Sequence, residues 1–151
     1  AISACEKGQQ PELALELFLK MQEEGHAPDV ITYSAAISAC EKAKQWRHAL
    51  ALLADLLQSD LEPNVIACSA VISACEKGEE WKKALSVLRE MQDAIIEPNI
   101  ISFCATISAC GKGYQWQQAL TLFAELSLNN FEKQVIPYNA VISACEKCAE
   151  W

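Results

Sequence analysis

Apolar residues recur along this chain at helical spacing, twice in every 35 residues. Within residues 30–64 the first set is Tyr33, Ala36, Ile37 and Cys40, and the second is Trp46, Ala49, Leu50, Leu53, Leu56 and Leu57. Each set keeps one apolar stripe at a period near 3.6, so each predicts a helix and the two together predict a helix-turn-helix pair. The second stripe returns as Trp81, Ala84, Leu85, Leu88 and Met91, and again as Trp116, Ala119, Leu120, Phe123 and Leu126. Only the first copy differs: Pro11 takes the tryptophan position, where the opening turn of a helix tolerates a missing N–H. The pattern predicts helices over 33–43, 45–59, 68–78, 80–94, 103–113 and 115–129, with almost no strand.

The period does not slip. Ile-Ser-Ala-Cys occurs at 2–5, 37–40, 72–75, 107–110 and 142–145, each interval being 35 residues. Units of this kind bury their apolar faces only against their neighbours, which makes a stacked array with one long surface. The expectation is a single array over 1–151, with complete units 30–64, 65–99 and 100–134 and partial units 1–29 and 135–151. Pro28, Pro63 and Pro98 mark the junctions, because a proline stops the preceding helix and forces an extended residue before it. The next junction delays its proline to Pro137 and is expected to be reshaped. Lacking an initiator methionine and cut in mid-unit at both ends, the chain is expected to be a piece of a longer array.

The first helix of each unit carries more than a packing stripe. At about 100° per residue, Ser34, Ser38 and Lys42 fall close together beside the Tyr33, Ile37 and Cys40 seam, while Ala35 and Ala39 leave room for a neighbouring unit. Ser34 and Ser69 have two readings, as polar groups on an open edge or as N-caps. Lysines recur at one phase, Lys7, Lys42, Lys77, Lys112 and Lys147, where solvated helix C-terminal residues favoured by the dipole are one reading.

These features resemble the pentatricopeptide repeat family, whose units are 35-residue helix pairs with a Val-x-Thr-Tyr-like opening and a closing Pro-Asp or Pro-Asn. Val30-Ile31-Thr32-Tyr33 and Pro63-Asn64 match both ends. The resemblance covers essentially the whole chain and implies a right-handed all-α solenoid that binds single-stranded RNA, one nucleotide per unit. In that family a polar residue early in the first helix and the last residue of the unit read each base. Here the pairs are Ser34 with Asn64, Ser69 with Asn99, and Cys104 with Gln134, while Asp29 and Asn139 belong to incomplete pairs. Ser with Asn resembles an adenine reader, in keeping with the ability of Asn to donate to and accept from an adenine edge. Ile31, Ile66, Ile101 and Ile136 occupy the positions that in similar proteins flank the base, with simple packing as the rival role. The lysine phase corresponds to backbone contacts, which fix position where base contacts fix sequence. The family acts mostly in mitochondria or plastids, in RNA processing, stability or editing, so an organelle is the expected site.

Composition presses on this picture from the other side. A net charge of −8 and a pI near 4.7 are poor credentials for a nucleic-acid binder. Many acids, among them Glu12, Glu16, Asp55, Glu79 and Glu80, fall on second helices or their ends, and charges more than about 8–10 Å away are largely screened. Glu41, Glu76 and Glu146 stand immediately before their lysines and dilute the local field. The recurring cysteines sit at one apolar phase and behave as small core residues, and Cys145-x-x-Cys148 is a lone pair with no second half. His26 and His48 lie in different phases with no nucleophile beside them, and no phosphate-binding glycine loop is present. With no apolar run near 18 residues, the expectation is a binding module without catalysis, cofactor, metal, membrane or small-molecule substrate. Protein partners are possible beside RNA; the alternative function is a protein-binding scaffold of tetratricopeptide type, which has a 34-residue period and a different signature.

Overall fold

The structure, a computed structural model, describes residues 11–128 and 135–148. Among these residues the chain is all helix and turn, with eight helices: α1 (Pro11–Glu23), α2 (Val30–Lys42), α3 (Trp46–Gln58), α4 (Val65–Lys77), α5 (Trp81–Asp93), α6 (Ile100–Lys112), α7 (Trp116–Leu128) and α8 (Val135–Cys148). The junction over 129–134 lies outside the described residues. Where α8 begins, Pro137 occupies its first turn, where backbone N–H groups have no intrahelical partner to lose.

First helices begin at Val30, Val65 and Ile100, three residues earlier than the apolar stripe predicts. The cause is the closing residue of the preceding unit. Asp29, Asn64 and Asn99 keep extended backbone and accept the N–H of Thr32, Ala67 and Ser102 with their side chains, so each is the N-cap of the helix that follows. The two N-cap candidates Ser34 and Ser69 therefore lie one turn inside, and Ser34 donates its hydroxyl back to the Val30 carbonyl at 2.7 Å.

Successive first helices touch one another, α2 on α4, α4 on α6 and α6 on α8, whereas no two of the second helices α1, α3, α5 and α7 pack backbone against backbone. α3, α5 and α7 each pack on the first helix of their own unit and on that of the next, and α1 packs on α2. Ala36, Ala39, Ala74 and Ala109 are fully buried between first helices, and their small side chains let that layer close up while the second helices splay. The array therefore curves with the first helices lining its inner face. Contact on two sides also explains a shift in the second seam: Leu52, Val87 and Leu122 are buried, while Leu57 and Leu120 of the predicted stripe stay exposed.

Ile37, Leu56, Ile72, Leu88, Ile107 and Leu126 form one continuous core from unit to unit. Cys40, Cys75 and Cys110 belong to it, and burial pushes their thiols up to about 11. The side chain of Cys148 lies outside the described residues, and among those described no cluster of three metal-ligating side chains occurs. Among them, too, no helix is long and apolar enough to cross a membrane.

Candidate nucleic-acid interface

The inner face repeats one small polar constellation. At the junction before α4, Asn64 Oδ1 accepts the Ala67 N–H at 2.8 Å and the Ser34 hydroxyl at 3.2 Å. At the junction before α6, Asn99 Oδ1 accepts the Ser102 N–H at 2.9 Å and its hydroxyl at 3.0 Å, with Ser69 Oγ at 3.4 Å. Ser69 and Ser102 also share a 2.7 Å hydroxyl contact. Ser34 and Ser69 are only 7% exposed, so they brace the caps from beneath and do not form the open polar edge that their spacing predicts. The pairs Ser34/Asn64 and Ser69/Asn99, 30 residues apart in sequence, are thus brought within hydrogen-bond reach.

These bonds orient the amides. An amide oxygen has two acceptor sites: at Asn99 both are met by Ser102, whereas at Asn64 one is met by the Ala67 N–H and the other only shares the Ser34 hydroxyl proton with the nearer Val30 carbonyl. The Nδ2 group is left with no protein acceptor assigned to it among the described residues. Asp29 differs: its Oδ1 accepts the Thr32 N–H at 2.7 Å and the Thr32 hydroxyl at 2.6 Å. The Thr32 bonds hold its carboxyl below the usual range, and its second oxygen can only accept.

Two clefts lie between neighbouring first helices, and the cap Asn99 lines one of them. One cleft, about 260 Å³, is lined by Ser69 and Asn99 and flanked by Ile66 and Ile101. The next, one period on, is lined by Ile101, Cys104, Ser108 and Asn139. Ile31, Ile66 and Ile101 are 69%, 61% and 57% exposed, which removes simple core packing as their role. These apolar side chains recur at one phase of the repeat and stay in contact with solvent.

The lysine edge is built differently from its sequence pattern. Lys77 Nζ lies 2.7 Å from Glu41 Oε1, and Lys112 Nζ lies 2.7 Å from Glu76 Oε1, each pair joining one unit to the next. Glu76 is held further by the Ser108 hydroxyl at 2.9 Å, and its carbonyl accepts from Lys112 at 3.1 Å. These lysines are not bare surface decoration, since their side chains are 35% and 28% exposed. Lys42 also has an interaction partner. Lys147 is exposed on α8. Lys7, Gln134 and the side chain of Ile136 fall outside the described residues. The glutamate partners were visible only as neighbours of their lysines; their true partners lie 36 residues away.

Among the described residues, an all-α solenoid with a polar cap and an exposed isoleucine at each complete unit is a helical-repeat array with a periodic inner face. Models of the pentatricopeptide repeat domain, the PPR repeat family and the PPR repeat match residues 51–113, 1–42 and 31–61 respectively, and the chain belongs to the pentatricopeptide repeat family. A search of curated proteins found no match. Among solved structures, the pentatricopeptide repeat protein PPR10 in complex with an 18-nt psaJ RNA element superposes with a TM-score of 0.79 at 23% identity, covering 97% of this chain and 22% of that one. PPR10 from maize superposes with a TM-score of 0.68 at 25% identity, covering 97% and 21%. The chain therefore spans about a fifth of the length of the solved proteins it matches.

Proposed function

We propose that this array binds single-stranded RNA, each base entering a cleft between two isoleucines and meeting the cap at its floor. The observation that carries this is the capped amide: at Asn64 and Asn99 the oxygen is held by the helix N-terminus, which leaves the N–H donor as the group available to a base. A donor complements an unprotonated ring nitrogen, such as adenine N1 or cytosine N3, and opposes the ring N–H of guanine or uracil. A buried polar group left without its partner costs about 1–3 kcal/mol, enough to discriminate bases. Ser beneath the amide resembles the family's adenine pairing, so Ser34/Asn64 and Ser69/Asn99 specify two successive adenines. With units running N to C along RNA from 5′ to 3′, as in the family, Cys104/Gln134 reads the next base. The bidentate adenine contact expected of a free Asn gives way here to a single donor on a fixed frame.

The wider role follows the family: a non-catalytic binder acting on an organellar transcript, in mitochondrion or plastid. A solved relative bound to an RNA element supports the reading. Selection of this chain's ligands from a randomised single-stranded RNA pool is expected to enrich adjacent adenines. Enrichment of no RNA at low salt would favour a peptide-binding scaffold instead.

A further inference from the structure

The lysine edge points to a second level of control, which rests on the RNA-binding reading above. In an array that meets successive phosphates, a lysine every 35 residues should give a continuous cationic rail. Here the rail is cancelled from within. Glu41 reaches forward to Lys77 and Glu76 to Lys112, both at 2.7 Å, and neither acid is more than 24% exposed. These glutamates contribute little to the core; they face the same edge as the lysines and accept from them. The ladder has one missing rung. One period after Glu76 stands Gly111, where a Cβ would lie 2.7 Å from Ala144 Cβ and 2.8 Å from its Cα. The close approach of α6 and α8 thus excludes a side chain there, and Lys147, which occupies the next lysine phase, has no acid within ion-pair distance among the described residues.

We infer that Glu41 and Glu76 are built-in competitors of the RNA backbone, holding Lys77 and Lys112 until a phosphate displaces them, and that Lys147 is the open contact on the same edge. A phosphate entering at Lys77 or Lys112 must break an ion pair and then sits beside a released carboxylate. Such a rail adds little sequence-independent attraction, so occupancy depends on the base clefts. The acids therefore act as specificity-determining residues that suppress binding to incorrect RNA.

The test compares three forms of the chain by fluorescence anisotropy with labelled single-stranded RNA eight-mers, one carrying adjacent adenines and one all uracil, over a salt series. The forms are wild type, Glu41→Gln/Glu76→Gln, and a charge-matched control, Glu16→Gln/Asp55→Asn, on the second helices. An exposed ion pair is worth at most about 1 kcal/mol, so the ladder variant is expected to bind both RNAs about two- to five-fold more tightly per position. Its log-log salt dependence should steepen by up to about 1.4, at about 0.7 per newly neutralised phosphate on a single strand, and its preference for the adenine RNA should not rise. The control should move neither quantity appreciably. Circular dichroism melting establishes that each variant is folded, and Glu41→Gln alone serves if the double variant is not, because Glu41 has a single partner. Wild-type binding with an unchanged ladder variant, or an equal gain in the control, overturns the inference while leaving RNA binding intact. Failure of all forms to bind either RNA at low salt overturns both. As a separate arm, Lys147→Ala should cost more affinity than Lys77→Ala; the reverse order counts against the inference.

Discussion

Gly78 and Gly113 end first helices at ordinary backbone angles, φ −86° and −85°, and the left-handed positions fall one residue later, on Glu79 and Tyr114. These glycines are therefore not serving the usual need for positive φ. A Cβ at either would collide with the indole of Trp46 or Trp81 from the preceding unit. The equivalent residue Ala43 carries a side chain, and its preceding unit has Pro11 in place of the tryptophan. Tryptophan and glycine thus form a lock between units. At such backbone angles Gly→Ala otherwise stabilises by about 0.4–1 kcal/mol, whereas overpacking costs about 1–3 kcal/mol. Gly78→Ala is accordingly expected to destabilise in urea unfolding, and to stabilise when Trp46→Ala is also present. Stabilisation in the wild-type background would show that the indole is not pinned. Ile95, 93% exposed at φ 59°, occupies the left-handed position that Gly25 and Asp60 fill in other units; nothing in its contacts compensates.

At the scale of the helix, one residue closes a unit and caps the next, and at Asn99 it also lines a cleft. Replacing Asn64 by Ala should cost about 1 kcal/mol of stability, since Asn-to-Ala at an N-cap typically does. Replacing it by Asp should cost little, because a carboxylate oxygen accepts the same Ala67 N–H and Asp29 already caps α2 in this way. Thermal denaturation of the two variants checks this; equal losses would mean that the side-chain cap contributes nothing. The helix pairs and their period were legible in the sequence, because a 3.6-residue stripe and a 35-residue repeat are local signals. Their starts were not, since the cap precedes the apolar stripe. Nor were the depth of Ser34, the partners of Lys77 and Lys112 or the burial of Leu52. Each depends on how one unit is offset against the next, which a period alone does not specify.

Across the whole molecule, the stack of first helices sets the two clefts along one face, while acids distributed along both layers leave the chain at a net charge of −8. In the proposed RNA-binding role, attraction to phosphate is therefore weak and recognition falls to the caps. Arg89 and Glu125, paired at 2.8 Å through both terminal guanidinium nitrogens, tie α5 to α7, bridging second helices whose backbones do not pack on each other. The central claim is that a capped side chain, fixed through one oxygen, reads a base through its other atom. Asn64→Asp isolates that claim, since it keeps the cap and exchanges the remaining donor for an acceptor. Competition binding should be measured with RNAs varied only at the base facing Ser34 and position 64, at one salt concentration, for wild type and Asn64→Asp. The expected result is a change from adenine to guanine preference by about five-fold or more, with the following adenine position unaffected, as a lost or gained base contact of about 1–3 kcal/mol requires. Retained adenine preference, or an equal loss of affinity for all four bases, would contradict it.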